Sequence, residues 1–304
     1  MLNEMNRTIE RILITGGSGF IGSYVCLLAC EKFEAHVTYQ THSITKTNCF
    51  SHRINLAEIK TINPFLDSVN PDVIIHTAAI ANPDFCERNK VEAETVNVLA
   101  TQQIAAWCNI NNSKLIFTST DMVFNGEVGH YKESDWPDPK SYYAQTKARA
   151  EEAVLNSSSQ HVVARVALVY GMGIERETSF FEQMIARLNN RERVNLFYDQ
   201  FRTPILVNNL AEALLGLAEH DFSGIIHLGG SERISRWDFG VKACRVFNLP
   251  SEFIEKRSMH DVPTLAFRPG DISLDCSLAK SVLKTKLLNC DEGLKIIKAT
   301  QVNE

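Results

Sequence analysis

Short apolar runs alternate with longer amphipathic stretches through the first two thirds of the chain, and the two kinds of segment predict different elements. Residues 11–15 (RILIT) read as a buried strand, and residues 20–33 follow as a helix with Ile21, Val25 and Leu28 on one face. Strands are expected again over 35–40, 72–76, 114–118 and 161–168, with helices over 56–69, 91–109 and 141–155 between them. This repetition predicts parallel strands joined by crossover helices, hence a doubly wound α/β sheet. Beyond Gly173 the rhythm loosens. Helices are expected over 180–188, 207–219 and 237–247 and a short strand over 224–228, while residues 253–274, with Pro263 and Pro269, read as irregular. The division expected is a large domain over 1–170 and a smaller lobe over 171–304, interleaved with it and packed against the strand ends.

The first strand runs into Thr15-Gly16-Gly17-Ser18-Gly19-Phe20-Ile21-Gly22. Gly16 permits a tight turn, Gly19 lets backbone approach a pyrophosphate, and Gly22 allows the helix to pack closely on the strand, while the free N–H groups of the helix start face an anion. Strand before and helix after make this a dinucleotide loop of the Rossmann type rather than a plain glycine-rich turn. The carboxylate expected on the adenosine ribose about 20 residues on is missing, because Tyr39, Gln40, Thr41 and His42 stand there. That absence favours NADP(H) over NAD(H), which remains possible, with His42, Lys46 and Arg53 as the cations within reach. Gly16, Gly19, Phe20, Ile21, Gly22 and Thr41 are the cofactor-binding candidates from this region.

Composition sets the outer limits. The 304 residues are 44% hydrophobic and 22% charged with a formal net charge of −5, as in ordinary water-soluble globular proteins. The 31 basic residues are scattered, so nucleic acid is not an expected partner. No apolar run approaches the roughly 18 residues of a membrane span, and the polar N-terminal stretch is unlike a signal peptide. Eight cysteines without a C-x-x-C pair argue against a zinc or redox motif and for a reducing, cytoplasmic setting. His220, His227 and His260 are too dispersed to form a metal set, and no metal is expected.

Tyr143-Ala144-Gln145-Thr146-Lys147 puts a phenol and an ammonium one helical turn apart. A tyrosine with a pKa of about 10 becomes a useful acid at neutral pH only beside a positive charge. Upstream, Thr118-Ser119-Thr120-Asp121 closes a strand whose hydroxyls can point into the same crevice.

With these residues the chain resembles the extended short-chain dehydrogenase/reductase family from about residue 11 to 288. Ser119-Thr120-Asp121-Met122-Val123-Phe124-Asn125-Gly126 is similar to the S-T-D-Y-V-F-D-G segment of the dTDP-4-dehydrorhamnose reductase branch. Asp199-Gln200 with Thr203-Pro204, and Arg268-Pro269 with Leu274-Asp275, are further matches. The resemblance implies Thr120, Tyr143 and Lys147 as a catalytic triad, with Tyr143 and Lys147 also on the cofactor. It implies Asn97, Ala78 and Ala79 as cofactor-lining residues. The departures are Leu168 for a tryptophan, Ser179 for an asparagine, and Met122 where 4,6-dehydratases carry a glutamate.

The expected activity is NADPH-dependent reduction of a keto group on a nucleotide-linked sugar, with a homodimer among the assemblies to be expected. An epimerase of the same family, and a non-catalytic regulatory subunit like the β-subunit of methionine adenosyltransferase, are the alternatives. Ser119, Arg202 and Arg268 are the substrate-binding candidates, the arginines for a diphosphate. Asp84, Cys86, Glu87 and Arg88 read as a surface helix start, His76 as a satisfied core histidine, and Trp136 and Trp237 as packing residues.

Overall fold

The computed structural model describes residues 9–45, 48–174 and 179–302. Its centre is a sheet of seven strands: β1 (Arg11–Thr15), β2 (Glu34–Tyr39), β3 (Phe50–Arg53), β4 (Val73–His76), β5 (Lys114–Thr120), β6 (Val162–Val166) and β7 (Gly224–Leu228). They lie in the order β7-β6-β5-β4-β1-β2-β3, every pair parallel. Both faces are covered, which is why the strands read as continuous apolar runs. Ile12, Ile14, Ile75, Ile116 and Val162 point to one layer, where the helices Phe20–Ala29 and Val207–Glu219 pack; Leu13, Ile74, Leu115, Phe117 and Val163 point to the other, against Ile59–Val69, Ala100–Ile110 and Tyr142–Ser157. The chain direction across the sheet reverses between β1 and β4, and a crevice opens at their carboxyl ends.

After β6 the chain builds a second hydrophobic cluster around Tyr170, Phe181, Leu196, Phe239 and Leu294. It then re-enters the large sheet with Val207–Glu219 and β7, so the sheet draws on residues well beyond 170. A parallel pair, Val194–Phe197 with Ile254–Arg257, and the helices Ser277–Val282 and Cys290–Val302 complete this part.

Several elements differ from the sequence expectation for physical reasons. β3 went unseen because Phe-Ser-His-Arg is a short, largely exposed edge strand with no apolar run. Ile254–Arg257 lies inside the stretch read as irregular and buries only Ile254. The single helix expected over 91–109 is broken into Lys90–Glu94, a π-helical turn at Thr95–Leu99, and Ala100–Ile110. The turn places Asn97 where its amide exchanges hydrogen bonds with Ile80, accepting from the backbone N–H at 2.8 Å and donating to the carbonyl at 3.1 Å. Trp136 is 92% exposed and packs on nothing substantial, against expectation, whereas Trp237 borders the second cluster. His76 is the core histidine expected: it bonds Thr15 and Thr101, and burial holds its pKa down at about 3.

Candidate active site

The glycine loop turns at the crevice. Gly16 has φ +69°, and a Cβ there would stand 2.8 Å from the Ala78 Cα, so β1 and the segment after β4 meet through the missing side chain. A Cβ on Gly22 would be 2.2 Å from the Gly16 carbonyl oxygen; this glycine lets the helix sit on its own loop. Gly19 differs, since only the Gly16 oxygen, at 3.1 Å, approaches its Cβ position and the residue is exposed. The helix begun by Phe20 and Ile21 has no side-chain cap and no acid in its first turn, so its N–H groups are available to an anion. Phe20 packs edge-on against Tyr24, and Ile21 lies against the core.

A cleft of about 250 Å³ runs from Gly16 and Gly19 past Ala78 and Ala79 to Tyr39 and Gln40. Ile54, Asn55 and Leu56, which follow the strand that sequence reading missed, form its far wall. Thr41 is exposed and does not line it. β3 brings Arg53 opposite Tyr39, and its Nε donates to the Gln40 carbonyl at 3.1 Å. Lys46 lies outside the described residues. Asn97 does not face this cleft; its amide, 1% exposed, is spent on Ile80 and on Thr146, and ties the strand-end segment to the tyrosine helix.

Ser141 caps that helix by accepting from the Ala144 N–H, which sets Tyr143 in the first turn. Tyr143 is 9% exposed, and its phenol lies within the influence of Thr120 at the end of β5, whose hydroxyl donates to Asp121 and accepts from the Met122 N–H. Burial pushes its pKa above the ordinary tyrosine value; Thr120 opposes the rise, while Asp121 and Cys86 add to it. Lys147 is 2% exposed, its ammonium 4.1 Å from the centroid of the Phe117 ring, and burial lowers its pKa to about 7. No hydrogen-bond acceptor for that ammonium occurs among the described residues. Tyr143 and Thr120 thus come together at the strand end, with Lys147 buried one helical turn further on against Phe117, but Ser119 is not with them. Successive strand residues face opposite sides, and the Ser119 hydroxyl donates to Glu151 behind the crevice.

The arginines are placed differently from one another. Arg202 spends its guanidinium on backbone carbonyls, donating to Phe201 at 2.6 Å, Gly270 at 2.7 Å and Pro269 at 3.0 Å. It clamps the Pro269–Gly270 loop, which also rests on Gly126, where φ is +84° and a Cβ would meet Pro269 at 2.6 Å. Arg268 donates to Asp84 at 3.0 Å and keeps Nη1 buried without a partner. The cluster read as a surface helix start is accordingly a junction: Asp84 holds residues 266–268, Glu87 accepts the Tyr142 N–H, and Cys86 packs beside Tyr143.

Sequence reading missed Arg236. It follows the short pairing of Ile234–Ser235 with Phe201–Arg202, lies 4.0 Å over the Phe180 ring, and has no side-chain hydrogen bond among the described residues. Burial lowers its pKa to about 9, with Arg202 adding to the drop and Asp121 opposing it. Asp121, next to Thr120, is buried with Oδ2 unpartnered and its pKa pushed up by burial to about 6. No pattern in the sequence marks Arg236; it becomes visible only when the second lobe folds onto β5. Ser179, by contrast, is used up in a capping box with Glu182.

Fold and site together define a Rossmann-type α/β protein with a Tyr-x-x-x-Lys pair at the carboxyl end of its sheet. Residues 10–301 match the family described as the RmlD substrate binding domain, and the chain belongs to that family. A probable low-salt glycan biosynthesis reductase, Agl14 of Haloferax volcanii, is 32% identical over 290 residues, covering 94% of this chain and 96% of that protein. The β subunit of methionine adenosyltransferase 2 from Pongo abelii is 29% identical over 288 residues, covering 90% and 83%. The crystal structure of a hypothetical dTDP-4-dehydrorhamnose reductase from Sulfolobus tokodaii superposes with a TM-score of 0.84 at 32% identity, covering 92% of this chain and 98% of that one.

Proposed function

We propose that this protein is an NADPH-dependent reductase of a keto group on a nucleotide-linked sugar. The observation that carries the reading is Tyr143 beside Thr120 at the end of β5, with Lys147 buried one helical turn along the same helix, near an uncapped glycine-loop helix. The loop fits a dinucleotide, since Gly19 leaves room where Gly16 and Gly22 leave none. When bound there, the nicotinamide supplies the hydride. Tyr143 donates the proton to the carbonyl oxygen as it becomes an alkoxide, and Thr120 hydrogen-bonds that oxygen. Lys147 stabilises the phenolate left behind and has its donors free for a ribose hydroxyl. The large sheet domain carries the dinucleotide and the later residues the sugar side. A reducing cytoplasmic setting and a homodimer belong to the same reading.

The test is an NADPH-oxidation screen over a panel of keto nucleotide-sugars, followed at 340 nm. Consumption with one of them supports the reading. Binding of NADPH with no consumption across the panel overturns it in favour of a non-catalytic subunit, a reading that the likeness to the β subunit of methionine adenosyltransferase 2 supports.

Cofactor choice follows from the end of β2, where no carboxylate repels a 2′-phosphate and Arg53 stands beside Gln40. NADPH is expected to bind at least as tightly as NADH, and Arg53→Gln to narrow the difference, in fluorescence titrations. A tenfold preference for NADH, about 1.4 kcal/mol, overturns the assignment.

Arg236 supplies donors on the sugar side. Its guanidinium is half-buried with no side-chain hydrogen bond among the described residues, and an anionic or hydroxyl oxygen of the substrate would satisfy it. Arg236→Gln is expected to raise the KM for the keto-sugar at least tenfold with NADPH affinity unchanged. An unchanged KM removes Arg236 from the site.

A further inference from the structure

Tyr143, Lys147 and Glu151 follow one another at single-turn spacing along the buried side of the helix Tyr142–Ser157. Glu151 is 3% exposed, and its carboxylate is held from two strands. Arg165 on β6 donates from Nε to both carboxylate oxygens at 3.1 Å and from Nη2 to Oε2 at 2.8 Å. Ser119 on β5 donates to Oε1, and Ser119 and Arg165 are paired across the sheet. One carboxylate thereby ties the helix of Tyr143 to the strand that ends in Thr120.

Lys147 lacks any such anchorage. Its ammonium rests on the Phe117 ring, with the neutral, buried His76 of β4 as its titratable neighbour from the sheet. Burial drives it toward the uncharged amine, and Glu151 is the charge that opposes this. On the far side of Glu151 stand Arg165 and, within the influence of Arg165, Glu133 and His227. A phenol acts as a proton donor near neutral pH only while a neighbouring cation favours its phenolate, so the charge of Lys147 has to be maintained.

We propose that Glu151 is a positioning residue of this active site: its carboxylate sets a fixed negative charge one helical turn behind Lys147, and its bonds to Ser119 and Arg165 hold the Tyr143 helix in register with Thr120. The inference rests on the reading of Tyr143 and Lys147 as the proton-donating pair. A purely structural ion pair would affect stability and leave the titration of Lys147 where it is.

The experiment uses the full chain labelled with ¹³Cε-lysine, the Lys147 resonance being assigned by its loss in Lys147→Arg. Its titration is compared in wild type, Glu151→Gln and Glu151→Gln/Arg165→Met. The double variant removes the unpaired guanidinium that the single one leaves buried, and keeps the test open if the single variant unfolds. The Lys147 midpoint is expected to fall by about one pH unit or more in either folded variant. In the NADPH-dependent assay the alkaline limb of kcat/KM moves down by the same amount, roughly a tenfold loss above both midpoints. Ser119→Ala, which leaves the charge in place, keeps the midpoint. An unchanged midpoint in a folded variant lacking Glu151 overturns the proposal, whatever happens to the melting temperature. A shifted midpoint in a chain that reduces no keto-sugar upholds the role of Glu151 and sinks the reductase reading instead.

Discussion

Tyr143→Phe is expected to cut turnover at least about 10²-fold, the scale of a positioned acid–base group, while NADPH affinity is retained. The phenylalanine ring keeps the packing against Cys86 and Ala93, so the loss isolates the hydroxyl that meets Thr120. Lys147→Met should lower both turnover and cofactor affinity, because the ammonium is assigned the phenolate and a ribose hydroxyl. It should not cost stability, since the ammonium has no acceptor among the described residues. The sign of the pH dependence is determined. With a folded pKa near 7 against an ordinary 10.5, the unfolded chain binds the extra proton between those values, so Lys147 makes stability rise with pH across that window. Lys147→Met should flatten that rise in melting curves taken from pH 7 to 10. A Tyr143→Phe variant that reduces a keto-sugar at near the wild-type rate would show the mechanism to be wrong.

The second large effect separates two glycines of one loop. Gly19→Val is expected to leave the melting temperature within a few degrees and abolish measurable NADPH binding. The residue has φ −81° and ψ 171°, a conformation valine adopts readily, and its Cβ position meets one backbone atom, the Gly16 oxygen at 3.1 Å, which has to give by a few tenths of an ångström. Gly22→Ala should do the reverse first: its Cβ would lie 2.2 Å from one backbone oxygen and 2.8 Å from a backbone carbon. The helix must lift off the loop, at about 1–3 kcal/mol or more, which for a chain of this size is a drop of several degrees. Differential scanning calorimetry and a fluorescence titration on both variants separate the outcomes. Full NADPH affinity in a folded Gly19→Val would show that the phosphates do not sit at this helix start.

Much of the large sheet was legible because its strands are buried on both faces and so spell unbroken apolar runs, RILIT and KLIFTST among them. The glycine loop was legible for a related reason: a turn at φ +69° and a helix lying on its own loop exclude every side chain, so the requirement is written in residue identity. The Tyr143–Lys147 spacing is likewise local, fixed by one helical turn. Edge strands left no such trace. Phe50–Arg53 and Ile254–Arg257 are held by backbone hydrogen bonds to a neighbour, a contribution that does not depend on side-chain pattern, and the first of them brings Arg53 opposite Tyr39.

What the sequence by itself determined, then, is what depends on neighbours a few residues apart: the parallel α/β alternation, the glycine loop, the phenol and ammonium on one helix face. Only the tertiary structure decided which groups remain free to act. Arg202 and Ser119 carry the right atoms yet are satisfied by the Pro269–Gly270 carbonyls and by Glu151, while Arg236, unremarkable in the sequence, keeps its donors. Satisfaction of a hydrogen-bonding group is settled by partners tens to more than a hundred residues away, and a linear pattern holds no record of them until the lobes have packed.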